Sequence, residues 1–281
     1  MNLPGIGEHF ATVDNLRLRY LRGGAGPALV LIHGLIGYSF SWRFNLAALE
    51  PHARVFAVDL PGTGFSDRDP GMDCRLATTA GRLLRFFDAM KIESADVLGT
   101  SHGGGVAMML AAMAPERVRR LILVAPVNPW LRHGRLLAPA LAALPGGGRL
   151  QPLLVRQGRL HRFLLRRQYA DPRRISPGTL EGYLAAFRVP GTLDHARRVL
   201  QGWRGDLREL ERILPRIAHI PTLAVWGSRD GVVSPACARP LLQNFARGEL
   251  VLLEGAGHVP YEEVPEEFNR ALVGFLTQPR G

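Results

Sequence analysis

The sequence has little cysteine and almost no lysine. Its two cysteines, Cys74 and Cys237, stand far apart in 281 residues, which argues against a disulfide framework and a cysteine-based metal site. No apolar run reaches the ~20 residues that a transmembrane helix needs. The longest, Leu136 to Leu144, is short and interrupted by Pro139. Met1 to Phe10 lacks a basic start followed by an apolar block, so no secretory signal is read and a reducing cytoplasm is expected. There is no internal repeat and no low-complexity linker. No G-x-x-x-x-G-K-[ST] occurs, and no G-x-G-x-x-G opens a helix, so the glycines of Asp59-Leu-Pro-Gly-Thr-Gly64 read as a structural turn and not as a phosphate loop. Lys91 is the only lysine beside a crowd of arginines, and the net charge is +11. A GC-rich coding sequence accounts for that choice of cation, and for the abundance of Ala, Gly and Pro.

What is present is ordinary for a globular enzyme: 47% apolar and 21% charged residues. Val13 to Leu21 reads as a hairpin arm around Asp14-Asn15. Continuous apolar runs at Ala28–Ile32, Arg54–Val58, Ala95–Leu98, Leu121–Val124, Thr222–Trp226 and Leu250–Leu253 suit strands buried on both faces. Helical patterns at Thr78–Met90, His102–Met113 and Glu263–Thr277 alternate with them. This alternation implies a mainly parallel sheet covered by helices on both sides. Between Val127 and about Pro215 the rhythm breaks into Leu-, Ala- and Arg-rich helical sequence, a cap inserted over the carboxyl ends of the strands.

Gly99-Thr-Ser-His-Gly103 is a G-x-S-x-G motif that ends a strand and opens a helix, the context this turn requires. The tight turn exposes Ser101 at a helix N-terminus, where partial positive charge favours a developing oxyanion. Trp226-Gly-Ser-Arg-Asp230 places Asp230 just beyond another strand, and Gly255-Ala-Gly-His258 places His258 beyond the last. A serine hydroxyl needs a base to take its proton, and the base needs a partner that fixes its tautomer. Ser101, Asp230 and His258 are therefore the expected nucleophile, orienting acid and base. Ala125-Pro-Val-Asn128, the alternative site for the acid, holds no carboxylate.

An oxyanion hole needs two backbone donors. His102, next to the nucleophile, should supply one and Leu35, after His33-Gly34, the other. The side chain of His33 is expected to bond locally and shape its loop. That of His102 should pack at the helix start and not act as base.

In order, His33-Gly34, Asp59-x-x-Gly62-x-Gly64, Gly99-x-Ser101-x-Gly103, Gly227-x-x-Asp230 and Gly257-His258 resemble the capped α/β-hydrolase superfamily. The likeness covers about Ala28 to Pro126 and Pro221 to Phe275, and omits the cap, where substrate choice is made. It implies an α/β fold: a mostly parallel eight-stranded sheet with helices on both faces and an inserted helical cap. The core would span 1–126 and 214–281, the cap 127–213. Epoxide hydrolases and haloalkane dehalogenases carry an aspartate where this chain has Ser101. Carbon–carbon bond hydrolases of aromatic breakdown use serine, but usually follow the catalytic histidine with tryptophan, where this chain has Val259. Serine carboxylesterases match best. Hydrolysis of a small-molecule ester through an acyl-enzyme is expected, with no metal or organic cofactor. Carbon–carbon bond hydrolysis, perhydrolysis and a non-catalytic ligand receptor are the alternatives.

Tyr38, Phe40 and Trp42 follow the oxyanion loop, and Leu136, Leu137 and Leu141 lie early in the cap. They are candidates for an apolar substrate pocket, or else pack the cap on the core. From Val127 to Ile213 there are 16 arginines against 6 acids. Arg156, Arg159, Arg162, Arg166 and Arg167 recur at spacings of three and four. Such a face either keeps a helix solvated or meets an anionic substrate or membrane surface. No nucleic-acid motif accompanies it, so no nucleic-acid partner is expected.

Overall fold

Apolar runs that can face water on neither side form the centre of the sheet. The computed structural model describes residues 3–131 and 159–279. Its strands are β1 (Gly7–Val13), β2 (Leu16–Gly23), β3 (Ala28–Ile32), β4 (Arg54–Val58), β5 (Ala95–Thr100), β6 (Val118–Val124), β7 (Thr222–Gly227) and β8 (Gly248–Leu253). They form one eight-stranded sheet in the order β1-β2-β4-β3-β5-β6-β7-β8. β2 pairs antiparallel with β1 and β4, and all other pairs are parallel. The hairpin turn falls at Asp14-Asn15, whose φ values of 51° and 61° are the left-handed pair that a two-residue hairpin turn demands.

The helices are α1 (Leu46–Leu49), α2 (Leu76–Ala89), α3 (His102–Met113), α4 (Arg159–Gln168), α5 (Thr179–Phe187), α6 (Thr192–Ile217), α7 (Ala238–Leu242), α8 (Pro260–Glu263) and α9 (Pro265–Thr277). One core, against α2, α3 and α6, contains Val30, Phe86, Val106 and Leu210. The other, on the opposite face, joins Leu31, Leu46, Ile122, Phe268 and Leu272. No helix among the described residues is long and apolar enough to cross a membrane.

Three expectations need correction. The helix read as Glu263–Thr277 starts two residues later, at Pro265, and Glu263 ends a separate short helix, because Pro265 has no N–H to continue it. The run Leu250–Leu253 is an edge strand, not one buried on both faces: Leu250 and Leu252 are 39% and 49% exposed. The chosen end of the cap, Ile213, falls inside α6, which runs unbroken to Ile217 and packs along α3.

Candidate active site

The carboxyl ends of the parallel strands gather every residue of the expected triad. Ser101 leaves β5 with φ 52° and ψ −120°, a conformation that L-residues avoid and that costs about 1–3 kcal/mol. Surrounding bonds hold it there. Its N–H donates to Val124 O at 3.0 Å, and its carbonyl accepts from Gly104 N at 3.0 Å and Val127 N at 2.8 Å. The flanking glycines are required by close approach. A Cβ on Gly99 would stand 2.2 Å from Gly103 O, and one on Gly103 would stand 2.3 Å from His33 O.

Asp230 follows β7 and His258 follows β8. His258 Nδ1 donates to Asp230 Oδ2 at 2.8 Å. The other carboxylate oxygen, Oδ1, accepts from Val232 N at 2.7 Å and Val233 N at 2.9 Å. The carboxylate is thereby fixed in rotation as well as position. With the Nδ1 proton committed to Asp230, Nε2 is the nitrogen left to accept a proton. No hydrogen bond joins Ser101 to His258 in this structure. Catalytic hydrogen bonds of unliganded sites are commonly long and tighten with substrate.

The loop after β3 stands over the nucleophile: a Cβ on Gly34 would lie 3.3 Å from Ser101 Cβ. Gly37 N donates to Gly34 O at 3.0 Å, closing a turn with Leu35 and Ile36 at its centre. Ile36 has φ 56°, a strained position for a β-branched residue and one the sequence did not flag. Among the described residues, no acceptor is bonded to the N–H of Leu35 or His102.

The family whose description is alpha/beta hydrolase fold matches residues 27–265. This chain belongs to that family. Over 267 residues it is 34% identical to the dihydrolipoyllysine-residue acetyltransferase component of the acetoin cleaving system of Cupriavidus necator, covering 94% of this chain and 67% of that one. It is 28% identical to the 2-hydroxymuconate semialdehyde hydrolase of Pseudomonas sp. strain CF600, over 99% and 96% of the two chains. Among solved structures, a membrane phospholipase A described as a bacterial virulence factor superposes with a TM-score of 0.82 at 31% identity, covering 97% and 86%.

In this alpha/beta hydrolase His33 and His102 flank the elbow and are held by local bonds and packing. Leu60 N donates to His33 Nε2 at 3.0 Å; a backbone N–H can only donate, so Nε2 is bare and Nδ1–H bonds Gly34 O at 2.8 Å. His33 thus ties the Gly34–Gly37 loop to the loop after β4, and burial lowers its pKa. That second loop wraps the buried Asp59, which accepts from Ser39 N at 2.7 Å, Phe65 N at 2.9 Å and Arg19 Nη1 at 3.1 Å. His102 stacks on Trp203 with ring centroids 6.4 Å apart. Burial, with a smaller push from His33, pulls its pKa down to about 4.

The expected pocket residues sit differently. Trp42 is fully buried against Tyr261, at 4.7 Å between centroids. Tyr38 and Phe40 stack at 5.5 Å, and Tyr38 OH donates to Gly182 O of α5 at 2.7 Å. Tyr38 and Phe40 thus contact α5, and Trp42 belongs to the core. Leu136, Leu137 and Leu141 lie outside the described residues. An apolar cleft opens instead behind the Gly34–Gly37 loop, lined by Leu35, Ile36, Leu165, Leu180, Tyr183 and Phe187 among others.

Sequence reasoning missed a buried ionic seam that ties Tyr169 and Tyr183 to the loops around Arg43 and Glu262. Glu262 Oε2 accepts from Arg43 Nη2 at 2.6 Å and Tyr169 OH at 2.7 Å, and Oε1 accepts from Tyr183 OH. Burial alone would lower the Arg43 pKa, but attraction to Glu262 outweighs it and the net shift is upward. Glu263 accepts from Gly257 N at 2.7 Å, Ala170 N at 3.1 Å and Asp171 N at 2.9 Å. His258 N–H donates to Gln168 O at 2.7 Å. The segment that follows α4 is therefore stitched to the histidine loop. The one signal in the sequence was a pair of acids five residues after a glycine-histidine step, in an otherwise apolar stretch.

Proposed function

We propose that this alpha/beta hydrolase cleaves carboxylic esters through an acyl-enzyme, favouring apolar acyl or aromatic substrates. The observation that carries the reading is the Asp230–His258 pair, with its 2.8 Å bond at Nδ1, at the same sheet end as the strained Ser101. Ser101 Oγ attacks the ester carbonyl while His258 Nε2 takes its proton. The N–H groups of Leu35 and His102 bond the oxyanion. His258 returns the proton to the leaving alkoxide, and the alcohol departs. Water then attacks the acyl-enzyme, giving its proton to the same nitrogen, and Ser101 regains a proton as the acid leaves. The segment between β6 and β7 acts as the cap that selects substrate. The apolar cleft beside Leu35 supports an apolar acyl group, and the likeness to a phospholipase A supports an ester as the bond cleaved.

The likeness to 2-hydroxymuconate semialdehyde hydrolase favours a second reading, hydrolysis of a carbon–carbon bond next to a ketone. Val259 in place of tryptophan argues against it. A series of p-nitrophenyl esters of increasing chain length, run beside a ring-cleavage diketone and a Ser101→Ala control, separates the readings. Ester turnover lost by about 10⁶-fold in Ser101→Ala, with a maximum above acetate, is expected. Turnover of the diketone alone establishes the second reading. Absence of burst and turnover on every substrate marks a ligand receptor.

A further inference from the structure

The two sides of α4 differ in chemistry. Its inner side lines the cleft through Leu165 and Gln168, and Leu165 is only 8% exposed. Its outer side presents Phe163 and Leu164, 56% and 37% exposed, among the exposed cations Arg162, Arg166 and Arg167. No acid occurs in the helix, RLHRFLLRRQ. Farther along, Arg173 and Arg174 pair with Asp171 and Glu263. Arg162, Arg166 and Arg167 have no carboxylate partner among the described residues, and Arg167 lies 5.7 Å over the Phe163 ring.

A merely solvated helix needs the cations, but not two large apolar side chains beside them. A soluble anion would occupy the arginines and leave Phe163 and Leu164 in water. A nucleic-acid backbone has the same defect. A surface that offers anionic phosphates with hydrocarbon just beneath satisfies both groups at once.

We propose that α4 docks this chain on a bilayer containing anionic phospholipid. Phe163 and Leu164 enter the boundary between headgroups and acyl chains, while Arg162, Arg166 and Arg167 bond the phosphates. Leu164 also borders the cleft, so docking brings the cleft to the lipid, and an apolar ester reaches it from the bilayer. That last consequence rests on the ester reading; the docking does not.

The test uses the full chain carrying Ser101→Ala, so that binding is read without turnover. It is sedimented with vesicles of phosphatidylcholine alone, or with roughly a third phosphatidylglycerol. Binding only to the anionic vesicles is expected, weakening as salt shortens the screening length from about 10 Å at 0.1 M to about 3 Å at 1 M. Replacing Arg162, Arg166 and Arg167 together by glutamine should weaken binding on the order of 100-fold, about fivefold for each arginine. Phe163→Ala should weaken it about tenfold and keep the salt dependence. These positions are exposed, and unchanged thermal unfolding confirms that the variants fold. The proposal is overturned by no binding, by equal binding to both vesicles or by binding that neither variant moves. A dimer in vesicle-free solution that Phe163→Ala dissociates also overturns it, since a second copy then covers α4. Docking without ester turnover in the Ser101 parent upholds this proposal and refutes the ester reading; turnover without docking does the reverse.

Discussion

Asp230→Asn replaces one carboxylate oxygen by an amide nitrogen at almost no change in size, and the structure decides which oxygen is lost. Oδ1 accepts from two backbone donors, Val232 N and Val233 N, whereas among the described residues Oδ2 meets only His258. An asparagine turned the other way would set its NH₂ against both N–H groups. Val233 is buried while Val232 is 43% exposed, so that orientation strands one buried donor and is disfavoured by about 1–3 kcal/mol. The NH₂ therefore faces Nδ1 of His258, which must now accept. The ring proton moves to Nε2, and the base is gone. Activity survives only through the reversed amide, which predicts a loss of kcat/KM of about 10-fold at least and up to about 10⁴-fold, with little change in thermal unfolding. Asp230→Ala has the opposite profile. It strands the buried Val233 donor and loses stability by about 1–3 kcal/mol, but leaves the imidazole free to choose its tautomer. It should retain more activity than Asp230→Asn while unfolding at a lower temperature. Steady-state hydrolysis of p-nitrophenyl butyrate and a thermal melt on both variants suffice. Parent-like activity in Asp230→Asn, or the reverse order for both properties, refutes the reasoning.

The other two predictions concern histidines that do not act as the base. His102→Ala keeps its backbone N–H, so its kcat/KM for the same ester should stay within about tenfold of the parent, with stability lower by about 2 kcal/mol for the lost packing on Trp203. A loss as deep as that of His258→Ala would place His102 in the chemistry. Burial depresses His102 to about 4 and His195 to about 3, both below an unfolded value near 6.5. The unfolded chain then binds the extra protons, so their contribution is intact above pH 6.5 and is lost as pH falls from there toward 4. Each histidine gives a slope of up to about 1.4 kcal/mol per pH unit. Denaturant midpoints between pH 7.5 and 4.5 read this slope, and a flat profile contradicts the burial argument.

Much of the site was legible because its chemistry forces local spacing. A serine elbow needs glycines on either side, and the collisions that a Cβ would make at Gly99 and Gly103 explain why the motif survives as letters. The runs Ala28–Ile32 and Thr222–Trp226 announced central strands because a surface buried on both faces admits no polar alternation. The order of Ser101, Asp230 and His258 along the chain matched the order of strand ends. The edge strand β8 was misread for a related reason: an apolar run looks the same whether or not a neighbour covers it.

Tertiary structure alone decided what lies between distant segments. Nothing near Arg43 in sequence foretells Glu262, 219 residues away, and nothing in Tyr38 or Phe40 says that each will brace α5 and not line the cleft. Which oxygen of Asp230 faces the histidine depends on the fold of Val232 and Val233 beneath it. A motif records the contacts a residue makes within its own turn. Burial, the direction of a side chain and the partner of a charge depend on chain brought in from elsewhere, and those the sequence states only once the sheet has been assembled.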